Sequence, residues 1–160
     1  MTETLAEVIE DVQRSLHNAF KTTPIRIQVT CASGLRVFGP AGALVQVLTN
    51  LLQNSRTHGF ADGTRPGTIH VRADICNHRV RIDYRDDGAG MSAETQEHVF
   101  EPFFTTRRSS GGSGLGLYIS YNLVTQALHG TIRCESAVGE GARFIIDYPC
   151  RNDDGTGVPS

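Results

Sequence analysis

Residues 79–93 read RVRIDYRDDGAGMSA, and the fold turns on how this stretch is parsed. Val80, Ile82 and Tyr84 alternate with Arg79, Arg81, Asp83 and Arg85, the period-two pattern of a strand with one dry and one wet face. If the alternation runs on, Asp86 points the same way as Tyr84, into the core layer. A carboxylate in that place must find donors, because a buried unpaired charge is costly. Asp-Gly also opens turns on its own account, so the stretch alone leaves two readings open: Asp86 meets a donor from outside the chain, or it only bends the backbone.

Working outward, GTIHVRADI (67–75) alternates Ile69, Val71, Ala73 and Ile75 on one face, and CNHR turns it into the strand above, making a hairpin. Upstream, AGALVQVLTNLLQNSRTHG (41–59) begins just after Pro40 and stops at Gly59, the punctuation of a long helix. Its core stripe is Leu44, Leu48, Leu51 and Leu52. Asn50, Asn54 and His58 fall at i, i+4 and i+8 on a neighbouring stripe. TLAEVIEDVQRSLHNAF (4–20) is a second amphipathic helix, with Leu5, Val8, Ile9, Val12, Leu16 and Phe20 on one face, and IRIQVTC and LRVFG read as short strands. Downstream, AETQEHVF is a short helix, GLGLYISYNLVTQALHG a longer one closed by Gly130, and TIRCESA and ARFIIDYP form a second hairpin around VGEG. The order predicts an α/β (α+β) two-layer sandwich, with helices on one face of a mixed, largely antiparallel sheet. One domain over 1–150 is expected, followed by a disordered polar tail at 151–160.

Composition narrows the function classes. A formal net charge of −2 gives no global pull toward nucleic acid or an anionic membrane, so any anion site is local. The four cysteines show no C-x-x-C or Cys/His ligand spacing, and no apolar run is long enough to span a bilayer; reduced thiols and a cytoplasmic setting are expected.

Two glycine clusters call for a ligand. No G-x-x-x-x-G-K-[ST] is present, which excludes the P-loop. Gly88-x-Gly90-x-x-Ala93 follows a strand, but the dinucleotide fingerprint needs a buried parallel strand, a long helix and a second strand, and here a short helix leads into EPFFTT. Asp86 facing inward offers an acceptor to the exocyclic amine of a purine. The second cluster, GGSGLGLYIS, sets Gly112, Gly114 and Gly116 at a helix start, where backbone N–H groups collect anions. Arg107 and Arg108 in TTRRSS are candidate phosphate clamps. An Asn carbonyl on the long helix suits a phosphate-bound Mg²⁺. The alternatives at these two places are a solvated helix edge and a flexible surface linker.

Taken in order, NLLQN, DDGAG, FEPFFTT, GGSGLGL and GEGARF resemble the N, G1, F, G2 and G3 boxes of the ATP-binding catalytic domain of two-component sensor histidine kinases. This is the Bergerat (GHKL) fold, and the resemblance runs from about Leu5 to Pro149. It implies that Asp86 binds the adenine amine, with Gly88 and Gly90 shaping the pocket. It implies that Asn54 coordinates Mg²⁺ and that Asn50 lines the site beside it, the two being the catalytic assignments. His58 takes the place of an aromatic that packs on the base. Phe103, Thr105, Thr106, Arg107 and Arg108 become hinge and lid, and Gly112, Gly114, Leu115, Gly116 and Leu117 border the phosphates.

Thr57 stands where many members carry Lys, GPAG replaces the usual G-D-P, and Asn50 replaces the Glu of hydrolytic relatives. Asn is no useful base near neutral pH, so phosphoryl transfer is favoured over hydrolysis. None of the six histidines sits in an acceptor box, which implies that the acceptor belongs to a dimerisation and phosphotransfer domain elsewhere in a parent kinase, membrane-anchored or not. The resemblance implies a response regulator as the downstream partner; no nucleic acid is expected, and the chain itself is expected to be a monomer. Other readings kept open are an anti-sigma-factor-like serine kinase and a non-catalytic nucleotide-binding module.

Overall fold

The computed structural model describes residues 3–31, 36–37, 41–103 and 115–149. In chain order these are β1 (Glu3–Thr4), α1 (Leu5–Ser15), α2 (His17–Phe20), β2 (Ile25–Cys31), β3 (Arg36–Val37), α3 (Ala41–Asn54), β4 (Gly67–Cys76), β5 (Arg79–Asp86), α4 (Ala93–Glu97), α5 (Gly116–Asn122), β6 (Thr131–Ser136) and β7 (Ala142–Pro149). Five strands form one sheet in the order β2-β4-β5-β7-β6, with β2 parallel to β4 and every other pairing antiparallel. The mixed, largely antiparallel sheet with helices packed on it is the expected architecture.

The register stacks apolar residues in rows across the sheet. Val71, Tyr84 and Phe144 lie side by side, as do Ala73, Ile82 and Ile146, and all six are buried. Onto them pack Leu5, Val8, Ile9 and Val12 of α1 and Leu44, Leu48, Leu51 and Leu52 of α3, the stripes that the helical spacing selects. α3 lies against both α1 and α5. The row nearest the open end of the sheet is Ile69, Asp86 and Ala142, so the acid shares the core face.

Two local expectations need correction. The first helix is not continuous: Leu16 leaves helical geometry at φ −100°, ψ 7°, and the chain restarts as the four-residue α2, which lets both Leu16 and Phe20 reach the core. Arg36 and Val37, the described residues of LRVFG, are strand as expected, and they pair with Glu3 and Thr4 in a separate two-stranded ribbon. Ile75 keeps the alternation of β4 yet is 49% exposed, although its row partner Val80 is buried; the pairing of β2 with β4 ends two residues before it, at Ala73.

The opposite face of the sheet is wet and charged. Asp83 there binds Arg143 at 2.7 Å and Arg85 at 3.1 Å, Arg72 reaches Asp74, and Arg79 pairs with Asp147. Burial alone would raise the Asp83 carboxyl, but the hydrogen bonds from Arg143 and Arg85 overcome it and hold the group at about 2.

Candidate active site

Asp86 is the last residue of β5 and is 6% exposed. Three donors meet its carboxylate. The backbone N–H groups of Gly88 and Ala142 donate to Oδ1 at 3.0 and 3.1 Å, and the Ser55 hydroxyl donates to Oδ2 at 2.6 Å. A carboxylate offers about four acceptor positions, so Oδ1 is filled and one place is left, on Oδ2. The inward orientation expected from strand parity is present, and burial is sustained by donors from three segments.

The wall opposite Asp86 is the end of the long helix. After Asn54 the helix widens into a π turn over Ser55–Gly59, where the Phe60 N–H reaches the Ser55 carbonyl at 2.8 Å. This turn carries Gly59 onto the acid: a Cβ there would stand 3.2 Å from Asp86 Oδ2. The Gly59 carbonyl accepts from the Ala89 N–H at 2.9 Å, and a Cβ on Gly88 would lie 2.5 Å from that same carbonyl oxygen. Gly59 is thus a contact residue of the site as well as a helix end. His58 lies half-buried in the widened turn, off the regular spacing that Asn50 and Asn54 keep.

Gly90 and Gly141 make the other close approaches. Gly90 has φ +75°, and a Cβ there would meet the Ala137 carbonyl oxygen at 2.0 Å; Gly141 has φ +73° and would meet the Asp86 carbonyl oxygen at 2.0 Å. Ser136 ties these loops together, accepting from the Met91 N–H at 2.8 Å and donating to the Gly141 carbonyl at 2.6 Å.

Of the two asparagines, Asn54 is half-buried and its amide makes no hydrogen bond among the described residues. Asn50 is fully engaged. Its Oδ1 accepts from Gln46 at 2.8 Å, and its Nδ2 donates to the Gly116 carbonyl and to Ser120 Oγ. It therefore fastens α5 to α3, a task that the spacing did not announce. Arg56, beside Thr57, donates to the Ala19 carbonyl at 2.8 Å and so points to α2. Leu115 and Gly116 begin α5, Leu117 is buried in the core, and Phe103 is 60% exposed with φ +64°. Thr105, Thr106, Arg107, Arg108, Gly112 and Gly114 lie outside the described residues.

Sequence reasoning missed Ser55 and Tyr84. Tyr84 is fully buried, its hydroxyl 2.7 Å from Ser55 Oγ and 2.9 Å from the Leu51 carbonyl. Ser55 falls on the Leu44, Leu48, Leu51 stripe, and a hydroxyl on a core stripe facing a core tyrosine was the available signal.

Fold and site together define an α/β sandwich in which a buried strand-terminal acid faces the end of a long helix. The chain belongs to the histidine kinase-, DNA gyrase B- and HSP90-like ATPase family, whose model matches residues 39–152. Within that family its similarities are to sensor histidine kinases. It is 28% identical over 153 residues to the signal transduction histidine-protein kinase BaeS of Escherichia coli, covering 93% of this chain and 32% of that protein. Against the sensor histidine kinase ZraS of Klebsiella oxytoca the identity is 39% over 115 residues, 71% of this chain and 23% of that one. The chain thus spans about a third or less of the relatives it matches. The catalytic domain of the histidine kinase ThkA superposes with a TM-score of 0.81 at 26% identity, covering 93% of this chain and 94% of that domain. No helix among the described residues is long and apolar enough to cross a membrane.

Proposed function

We propose that this chain is the part of a sensor histidine kinase that binds ATP with Mg²⁺ and presents the γ-phosphoryl group to a histidine on a separate dimerisation domain. The observation that carries the reading is the buried Asp86 carboxylate with a single acceptor position left on Oδ2. The amino group of a purine is a donor of the right kind for it. Gly59, Gly88 and Gly90 let the helix end and the loops close around the acid, since a Cβ at any of them would crowd Asp86 Oδ2 or a backbone carbonyl.

Asn54 fits the metal. One neutral oxygen from a half-buried amide with no other partner among the described residues suits an ion that keeps waters and shares phosphate oxygens. When bound, Mg²⁺ neutralises charge on the phosphate oxygens during transfer. Thr57 brings no cation and Arg56 is committed to α2, so Arg107 and Arg108 are assigned the phosphate charge, with backbone amides around Gly112, Gly114 and Gly116.

The acceptor histidine is supplied in trans, and a response regulator then takes the phosphoryl group. In support, the solved complex of ThkA with the response regulator protein TrrA contains a domain like this one, at TM-score 0.75 and 26% identity. Alone, the chain is a cytoplasmic monomer that holds nucleotide and transfers little.

Calorimetric titration of ATP, with and without Mg²⁺, into wild type, Asp86→Asn and Asn54→Ala tests the reading. Asp86→Asn is expected to weaken binding about 10- to 100-fold, and Asn54→Ala to abolish the gain from Mg²⁺. Absence of binding by wild type overturns the proposal. Binding without transfer to an added dimerisation domain reduces the chain to a regulatory module.

A further inference from the structure

Asp86 sits at the end of a chain of oxygens that the proposed reaction does not use. From Oδ2 the contacts run to Ser55 Oγ at 2.6 Å, to the Tyr84 hydroxyl at 2.7 Å, and to the Leu51 carbonyl at 2.9 Å. Ser55 and Tyr84 are both fully buried, so water does not compete for these bonds. Carboxylate and carbonyl, at the two ends, only accept; the two hydroxyls between them hold two protons. Ser55 has one proton, and the shortest contact directs it to Asp86. The Tyr84 proton is left for Ser55 Oγ or the Leu51 carbonyl, and burial pushes the phenol well above its ordinary range, so it stays protonated.

This arrangement has a chemical consequence at the mouth of the site. No hydroxyl proton of the relay is free to turn toward a ligand, and the one position left beside it, on Oδ2, accepts. The spot therefore welcomes an amino group and refuses a carbonyl. We propose that Ser55 and Tyr84 are positioning and specificity-determining residues: by fixing Asp86 through Oδ2, they make the site discriminate a 6-amino from a 6-keto purine. The inference rests on the assignment of Asp86 to the base.

Ser55 also joins two parts of the fold. It is the first residue of the π turn that delivers Gly59 to the acid, and Tyr84 is two residues before Asp86 on β5. The relay thus fixes the distance between helix end and strand end, the two walls that a base would separate.

The test uses adenosine and inosine diphosphates, which differ at the 6-position, titrated into wild type, Ser55→Ala, Tyr84→Phe, Asp86→Asn and the Ser55→Ala/Asp86→Asn double variant. Ser55→Ala is expected to lose about tenfold in adenosine diphosphate affinity with inosine diphosphate affinity unchanged, and Tyr84→Phe a smaller loss of the same pattern. In the Asp86→Asn background Ser55→Ala is expected to add nothing, since its effect passes through the carboxylate. Should Ser55→Ala fail to fold, Tyr84→Phe carries the same comparison. Equal weakening of both nucleotides, or no change in their ratio while Asp86→Asn abolishes it, overturns the inference and leaves the Asp86 assignment standing. An unchanged ratio in Asp86→Asn itself overturns both.

Discussion

Asn50 Nδ2 donates to the carbonyl oxygen of Gly116 at 3.0 Å, so the middle of α3 grips the first residue of α5. The same amide donates to Ser120 Oγ one turn further on, at 3.1 Å. Asn50→Ala is expected to destabilise the chain by about 1–3 kcal/mol, because Gly116 and Ser120 lose a buried partner. Asn50→Asp is expected to cost more, since it sets a carboxylate against a carbonyl. Urea unfolding of the three proteins checks both the sign and the order.

Gly59 gives a second prediction. A methyl group there stands 3.2 Å from Asp86 Oδ2, the oxygen with the last free acceptor position. Gly59→Ala is expected to lower ATP affinity by about tenfold or more while the melting temperature changes little. Gly141→Ala is the contrast: at φ +73°, with the Asp86 carbonyl 2.0 Å away, it is expected to lower the melting temperature first. Calorimetry and thermal melts on the two variants separate these effects.

The sheet's wet face predicts an acid response. Asp83 is held at about 2, below its ordinary 3.8, by hydrogen bonds from Arg143 and Arg85 that outweigh its burial. A depressed carboxyl contributes stability that is fully present above its unfolded value and is lost as pH falls through the folded one. Between about pH 4 and pH 2 wild type is expected to lose more stability than Asp83→Asn, with the two curves parallel above pH 5. Urea midpoints measured across that range decide it.

Cys134 predicts chemical inertness. Burial, then the charges of Asp86 and Glu135, push its thiol up to about 12. Cys31 is raised in the same direction, by burial and then Asp74. Alkylation at pH 8, followed by peptide mass mapping, is expected to leave Cys134 unmodified in the folded chain and to label it fully in urea. Rapid labelling of the folded chain contradicts the packing of β6.

Most of the layer architecture could be read from periodicity, because apolar stripes on α1 and α3 and alternation on β4 and β5 leave few ways to bury the same residues. What escaped the reading were interactions that depend on how two segments meet. Gly59 and Gly130 both mark helix ends in the sequence, but the reason in each case is contact. A Cβ on Gly130 would meet the Asp147 carbonyl at 2.2 Å, and the left-handed residue is its neighbour His129, at φ +58°. Leu16 carries no breaker, so nothing local foretold that the helix restarts there; the need of Phe20 to reach the core decides it. Asp86 was placed correctly by parity alone, whereas its partners Ser55 and Ala142 come from 31 and 56 residues away in sequence.

The Ser136 hydroxyl, bonded to both Met91 and Gly141, has a mechanical meaning. It welds the loop after β5 to the hairpin of β6 and β7, and Gln96 adds a second weld by exchanging two hydrogen bonds with the Ser136 backbone. The surroundings of Asp86 therefore shift only if three strands shift with them. Gly116, the first residue of α5, is moored instead to α3 by the Asn50 side chain. A tug on α5 stretches that mooring while Asp86 stays put, so the fold has an anvil at the acid and a lever at the helix.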